Sequence, residues 1–253
     1  MSLNRPLTDW RGQRVWLIGA SSGIGEALAQ RLIYLGARVA VTSRNAAALG
    51  KLGAACVAPA DVTDIAALAA AHEAVVAALG GLDTVFINAG THQPMRAWEL
   101  EAETATKLVQ VNFIGAMNAV ALVAPGFAER GSGRIALTAS VAGYGGLPTG
   151  LVYGATKAAL INLAETLYLD LAPKGVAIHL INPGFVKTPL TDKNDFRMPA
   201  LISSEEAARA ILDGMGRGEF ETHFPKRFTR VLKLLNRLPY RLYFPLIHRL
   251  TGL

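Results

Sequence analysis

Val15-Trp16-Leu17-Ile18-Gly19-Ala20-Ser21-Ser22-Gly23-Ile24-Gly25-Glu26-Ala27-Leu28-Ala29-Gln30 decides the fold of this chain. Four apolar residues ending in a glycine have the pattern of a buried parallel strand. The turn Gly19-x-x-x-Gly23-x-Gly25 follows, and from Glu26 the residues are good helix formers. Strand, glycine turn and helix start let a backbone approach a pyrophosphate, to which the helix N-terminus offers unpaired N–H groups and a favourable dipole. Gly19, Ser21, Ser22, Gly23, Ile24 and Gly25 are therefore expected to hold a dinucleotide. The other reading is an ordinary tight turn between strand and helix.

Outward from this stretch, apolar strands and helices alternate. A second strand, 38–44, ends at Ser43 and Arg44, about twenty residues after the turn, where an acidic residue would accept a hydrogen bond from an adenosine 2′-hydroxyl. A guanidinium suits a 2′-phosphate instead, so NADP(H) is expected over NAD(H). A solvated arginine at a strand end is the alternative. Residues 57–60 form a third strand leading to Asp61 and Val62, where the carboxylate either meets the adenine amino group or caps the next turn. A helix over 64–79 follows, with His72 on its surface. A fourth strand, 85–87, runs into Asn88-Ala89-Gly90, whose glycine permits close backbone approach to a ligand.

The long helical region 101–128 holds Asn112, and a fifth strand, 135–138, delivers Ser140 to its carboxyl end. A glycine-rich loop leads to the helix 151–171, where Tyr153 and Lys157 share one face because they lie about a turn apart. A sixth strand, 176–181, leaves through Asn182-Pro183-Gly184-Phe185-Val186-Lys187-Thr188. Six strands interleaved with helices predict a doubly wound parallel sheet, a Rossmann-type three-layer α/β/α domain over 1–225.

In their order and spacing these motifs resemble the short-chain dehydrogenase/reductase family over residues 12 to 190. The resemblance implies a catalytic set of Asn112, Ser140, Tyr153 and Lys157. It also implies cofactor contacts from Asn88, Ala89 and Gly90, and a nicotinamide carboxamide held by Pro183, Gly184, Val186 and Thr188. Two positions depart from the family pattern, with Ile18 before the first glycine and Ile87 before Asn88, so an apolar pair is expected to replace a polar contact. The implied activity interconverts a ketone or aldehyde and an alcohol. Tyr153 would give or take the proton, Ser140 would bind the substrate oxygen, and Lys157 would lower the phenol's pKa and hold the nicotinamide ribose. Asn112 would position a water beside Lys157. A 3-oxoacyl thioester reductase and a catalytically silent dinucleotide-sensing scaffold are the rivals. A homodimer or homotetramer is implied, and no metal is expected.

The chain has 253 residues, 51% hydrophobic and 17% charged, which fits one large core rather than disorder. Its single cysteine, Cys56, lies in an apolar run and is expected to be a buried structural thiol. No signal peptide is expected, and a cytoplasmic setting fits. The net charge of +6 is local: residues 217–253 carry eight Lys/Arg against two Glu, whereas the remainder carries 17 of each sign. Ser203 to Glu206 start a helix, and Phe220, Thr222 and Phe224 form a seventh, edge strand stopped by Pro225. In the extension 226–253, Arg227, Arg230, Lys233 and Arg237 fall on one helical sector, with Phe228, Val231, Leu232, Leu235 and Leu238 opposite. This basic amphipathic helical extension packs on the body, on a partner subunit or on the inner face of a membrane; nucleic acid is not expected.

Overall fold

In the computed structural model, which describes residues 2–193, 196 and 198–252, seven parallel strands form one sheet. They are β1 (Arg14–Ile18), β2 (Arg38–Thr42), β3 (Cys56–Val57), β4 (Thr84–Ile87), β5 (Gly133–Thr138), β6 (Val176–Pro183) and β7 (Glu221–Phe224). Their order is β3-β2-β1-β4-β5-β6-β7. The chain winds outward from β1 in one direction as far as β3, then crosses back to β4 and winds the other way. This reversal opens a crevice at the carboxyl ends of β1 and β4, where open sheets bind ligands.

Alternation along each strand sends side chains to two cores. Trp16, Ile18, Val85, Ile87, Ile135 and Leu137 pack on one face, against α3 (Ile65–Leu79), α5 (Gly115–Arg130) and α6 (Leu151–Leu171). Val15, Leu17, Val39 and Phe86 pack on the other, against α1 (Gly23–Tyr34) and α7 (Ser204–Gly216). A fully buried Leu or Ile contributes about 1.5–3 kcal/mol, so the continuous apolar strands drive the assembly. The helices α2 (Ala46–Leu49), α4 (Ala102–Val109), α8 (Lys226–Leu235) and α9 (Tyr240–Thr251) complete the chain.

The two departures from the family pattern explain each other. Ile18 and Ile87 are register partners across β1 and β4, both buried, so an apolar pair joins the strands at the two positions that depart from the family pattern. Ser203 accepts from Glu206 N and the Glu206 carboxylate accepts from Ser203 N, the reciprocal cap expected at the start of α7.

Four local expectations are corrected. The third strand covers only Cys56–Val57; beyond it Ala58 N and Ala60 N still donate to the Val41 and Ser43 carbonyls, but Pro59 between them has no N–H to continue a regular ladder. Cys56 is partly exposed at this edge, although burial still pushes its thiol above the ordinary value. His72 is not a plain surface residue; its ring lies 5.4 Å from that of Trp16, and burial lowers its pKa. The helical region 101–128 is interrupted between α4 and α5 by a π-turn over Gln110–Ile114.

His179 in β6 is 1% exposed and donates from Nδ1 to the Glu219 carbonyl at 2.9 Å. Burial pushes its pKa down to about 4. The unfolded chain therefore takes up this proton near pH 6.5 while the folded one does not, so stability falls as pH drops toward 4. Between pH 7.5 and 5 this residue should remove about 2 kcal/mol. Urea unfolding of the parent and of His179→Gln tests it: an identical pH slope in the two would exclude His179 as the cause.

Candidate active site

The turn after β1 is shaped by crowding. Gly19 has φ +92°, and a Cβ there would stand 2.5 Å from Ala89 N, so a side chain is excluded by conformation and by space. Its carbonyl accepts from Asn88 Nδ2 at 3.0 Å, tying the ends of β1 and β4. Ser22 caps α1, yet its side chain makes no capping bond, so the hydroxyl and the helix N-terminus are both directed to the crevice. Gly25 plays another part. A Cβ at Gly25 would collide with the Gly19 carbonyl oxygen, so this glycine lets α1 pack on the turn and does not line the crevice.

The crevice is a cavity of about 770 Å³, a volume suited to a ligand of dinucleotide size. Its walls include Gly19, Ser21, Ser22, Gly23 and Ile24 from the turn, and Arg44, Asp61 and Val62 after β2 and β3. Asn88, Ala89 and Gly90 follow β4, with Ser140, Tyr153 and Lys157 beyond; Pro183, Gly184, Val186 and Thr188 close the far end. Every expected cofactor contact except Gly25 is thus in one cavity. The residues fit a dinucleotide on two observations: the uncommitted Ser22 hydroxyl at a helix N-terminus, and a glycine floor. A Cβ at Gly90 would fill space 3.4 Å from Asn112 Oδ1 and 3.5 Å from Lys157 Nζ.

At the adenosine end, Asp61 Oδ1 accepts from Thr63 N at 2.9 Å and from Thr63 Oγ1 at 2.8 Å, so the carboxylate caps the turn. Burial works to raise Asp61, but these two bonds and the Arg44 charge hold it below the ordinary carboxylate value. Arg44 Nη1 lies 3.7 Å from Asp61 Oδ2 and remains largely exposed on the rim.

At the catalytic end, Ser140 caps the turn after β5, accepting from Ala142 N at 3.1 Å. Lys157, 4% exposed, donates from Nζ to the Thr138 carbonyl at 2.9 Å and lies 5.6 Å from the centre of the Tyr153 ring. Burial lowers its pKa to about 8. Burial raises Tyr153, and the Ser140 hydroxyl is the group that pulls it down.

Asn112 is fully buried in the π-turn and does not line the cavity. Its Oδ1 accepts from Thr91 N at 2.7 Å, and its Nδ2 donates to the Thr91 carbonyl and to Thr156 Oγ1. The amide thus clamps the loop after β4 to α6.

Residues 13–198 match the family described as short chain dehydrogenase. The chain belongs to the short chain dehydrogenase family. An uncharacterized oxidoreductase of Myxococcus xanthus is 35% identical over 240 residues, 92% of this chain and 95% of the relative. A short chain dehydrogenase/reductase from Burkholderia phymatum in complex with NAD superposes with a TM-score of 0.82 at 25% identity, covering 90% of this chain and 94% of that one. A short-chain dehydrogenase from Sphingobium yanoikuyae in complex with NADPH gives 0.78 at 27% identity, covering 90% and 97%.

For a short chain dehydrogenase, the structure adds neighbours that carry no pattern in sequence. Thr138 serves through its carbonyl and Thr91 through its backbone, so residue type says little about either. The His92 ring meets Tyr153 edge-on at 4.5 Å. Behind the Ser140 loop, Tyr144 donates to Glu221, which also accepts from Asn182 Nδ2 at 2.8 Å and pairs with Lys233. Burial, then the bond to Glu221, raises the Tyr144 pKa, so this phenol stays neutral. The substrate wall is expected from loops around 91–99, 143–150 and 188–199; of the last, Asn194, Asp195 and Arg197 lie outside the described residues.

Proposed function

We propose that this short chain dehydrogenase is an NADP(H)-dependent oxidoreductase interconverting a ketone or aldehyde and an alcohol, with Tyr153 as the proton donor and acceptor. The observation that carries the reading is the convergence of Ser140, Tyr153 and Lys157 with the glycine turn in one cavity. When bound, a nicotinamide dinucleotide supplies or accepts the hydride. Ser21, Ser22, Gly23 and Ile24 hold the pyrophosphate on the start of α1, and Val62 and the capped Asp61 border the adenine. Lys157 holds the nicotinamide ribose hydroxyls, while Pro183, Gly184, Val186 and Thr188 hold the carboxamide. Ser140 donates to the substrate oxygen and orients it toward Tyr153 Oη. With its pKa raised by burial, Tyr153 keeps its proton at neutral pH and is poised to protonate that oxygen as negative charge develops. Asn112 acts as a positioning residue through Thr91 and Thr156.

The preference for NADP(H) rests on Arg44, the cationic side chain at the adenosine rim. A charge-assisted bond to a 2′-phosphate is worth about 1.5–3 kcal/mol. Arg44→Ala is accordingly expected to weaken NADPH binding roughly ten- to hundred-fold and to leave NADH binding within about two-fold. Equal loss for both cofactors would remove Arg44 from that role. A homodimer or homotetramer is what the family membership suggests.

The activity is tested by following NADPH oxidation over a panel of ketones, 3-oxoacyl thioesters and sterols. Turnover of simple ketones supports the reading. Turnover confined to thioesters would assign the protein as an acyl thioester reductase, and tight NADPH binding without any turnover would make it a sensing scaffold.

A further inference from the structure

The extension α8–α9 has two faces with different chemistry. Its inner face is committed to the body: Leu235, Tyr243 and Ile247 are buried against Leu147, and Tyr243 Oη donates to the Gly146 carbonyl at 2.8 Å. Lys233 turns inward to Glu221 and lies over the Tyr144 ring, and Lys226 pairs with Glu219 at 3.5 Å. Lys233 is therefore absent from the exposed basic stripe expected from helical spacing, while Val231, expected on the covered side, is exposed.

The solvent-facing positions of the two helices carry Val231, Leu234, Tyr240, Leu242, Phe244 and Leu250, each between 52% and 75% exposed. Tyr240 and Phe244 stack with ring centres 5.2 Å apart. Among them stand Arg227, Arg230, Arg237, Arg241 and Arg249, all exposed. Among the described residues no acidic side chain pairs with these five, and the sequence has no Asp or Glu after Glu221. Ordinary soluble surfaces intersperse both signs and avoid clustering aromatic and aliphatic bulk.

We propose that the outer face of α8 and α9 docks on an anionic phospholipid bilayer, lying in the interfacial plane. The guanidinium groups meet the lipid phosphates, and the leucine and aromatic side chains enter the headgroup–acyl boundary. α9 has 12 residues and contains Arg241, Arg249 and Pro245, so it is too short and too charged to cross. Charge complementarity selects this occupant over a second copy, because a two-fold contact would set arginines against arginines. Exposed aliphatic residues between the arginines fit lipid better than a nucleic-acid backbone. The loop over 141–147 supports the extension on one side and begins next to Ser140 on the other, so docking holds the cavity near the lipid surface. That placement suits a lipophilic carbonyl or alcohol, a corollary resting on the proposed activity; the docking does not depend on it.

The test is co-sedimentation of the full chain with vesicles of phosphatidylglycerol and phosphatidylcholine, against phosphatidylcholine alone. The parent should pellet with the anionic vesicles and stay in solution with the neutral ones. Arg230→Gln/Arg237→Gln should lower partition roughly 25-fold, about five-fold for each charge. Leu234→Glu/Phe244→Glu should lower it by at least about ten-fold. All four side chains are exposed, and an unchanged melting temperature confirms that both variants fold. The proposal is overturned if the parent ignores anionic vesicles or binds neutral ones equally, or if both variants bind like the parent. A dimer that the variants dissociate, or retention on RNA without vesicle binding, would overturn it in favour of that other partner.

Discussion

Replacing Tyr153 by Phe is expected to lower kcat by about 10²–10⁴-fold while NADPH binding stays within a few-fold, since only the proton-bearing oxygen is removed. Tyr153 sits in the first turn of α6, four residues before Lys157, with its ring against His92 and its hydroxyl near Ser140. Phenylalanine keeps the ring contacts, so the fold and the cavity walls should be unaffected. Steady-state rates with NADPH, and quenching of the protein's tryptophan emission by NADPH, separate chemistry from binding. A variant that turns over like the parent would remove Tyr153 from the chemistry, and a variant that no longer binds NADPH would give the hydroxyl a structural role instead.

The second large effect is on stability. Gly25→Ala should destabilise the protein by about 3 kcal/mol or more, a large part of the roughly 5–15 kcal/mol that holds a domain together. The added methyl would run into the Gly19 carbonyl oxygen and stand 2.8 Å from Asn88 Nδ2, the two groups whose hydrogen bond ties β1 to β4. Neither neighbour can move without opening the crevice, so NADPH binding should be lost with stability. Gly126→Ala is the contrast: it lies exposed inside α5 with nothing within 4 Å of a Cβ, and alanine there should stabilise by about 0.5–1 kcal/mol. Urea unfolding of the two variants decides it. Equal effects would mean that the turn relaxes around Gly25 at little cost.

The fold was readable because its signals are local. Apolar runs of four to six residues separated by helices, as at Val15–Ile18 and Ile135–Thr138, admit few arrangements other than a parallel sheet. The cavity residues were readable for the same reason: the reversal of strand order at β1 and β4 brings all the carboxyl-end loops to one place. What escaped was a matter of direction. Glycine spacing looks alike for a phosphate contact and for helix packing, so the sequence could not show that Gly25 lets α1 approach the Gly19 carbonyl. Asn112 reads as a polar residue within a helix, and nothing in its neighbours announces a π-turn that aims the amide at Thr91 and Thr156.

The extension shows the same division. Helical periodicity alone placed Arg227, Arg230, Lys233 and Arg237 on one sector. Packing then divided them, because Glu221 at the edge of the sheet drew Lys233 inward, and the Gly145–Leu147 segment buried Leu235 and Tyr243 while leaving Val231 and Leu234 in solvent. Sequence alone established the strand–helix alternation, the glycine turn after β1, the family resemblance and the confinement of the net charge to the last 37 residues, counted from Arg217. Each depends on residues close together in the chain or on composition. Tertiary structure alone decided which glycines line the crevice, how burial and Ser140 act on Tyr153, and that Lys233 turns inward to Glu221. Those outcomes depend on burial and on partners that folding brings together from distant parts of the chain.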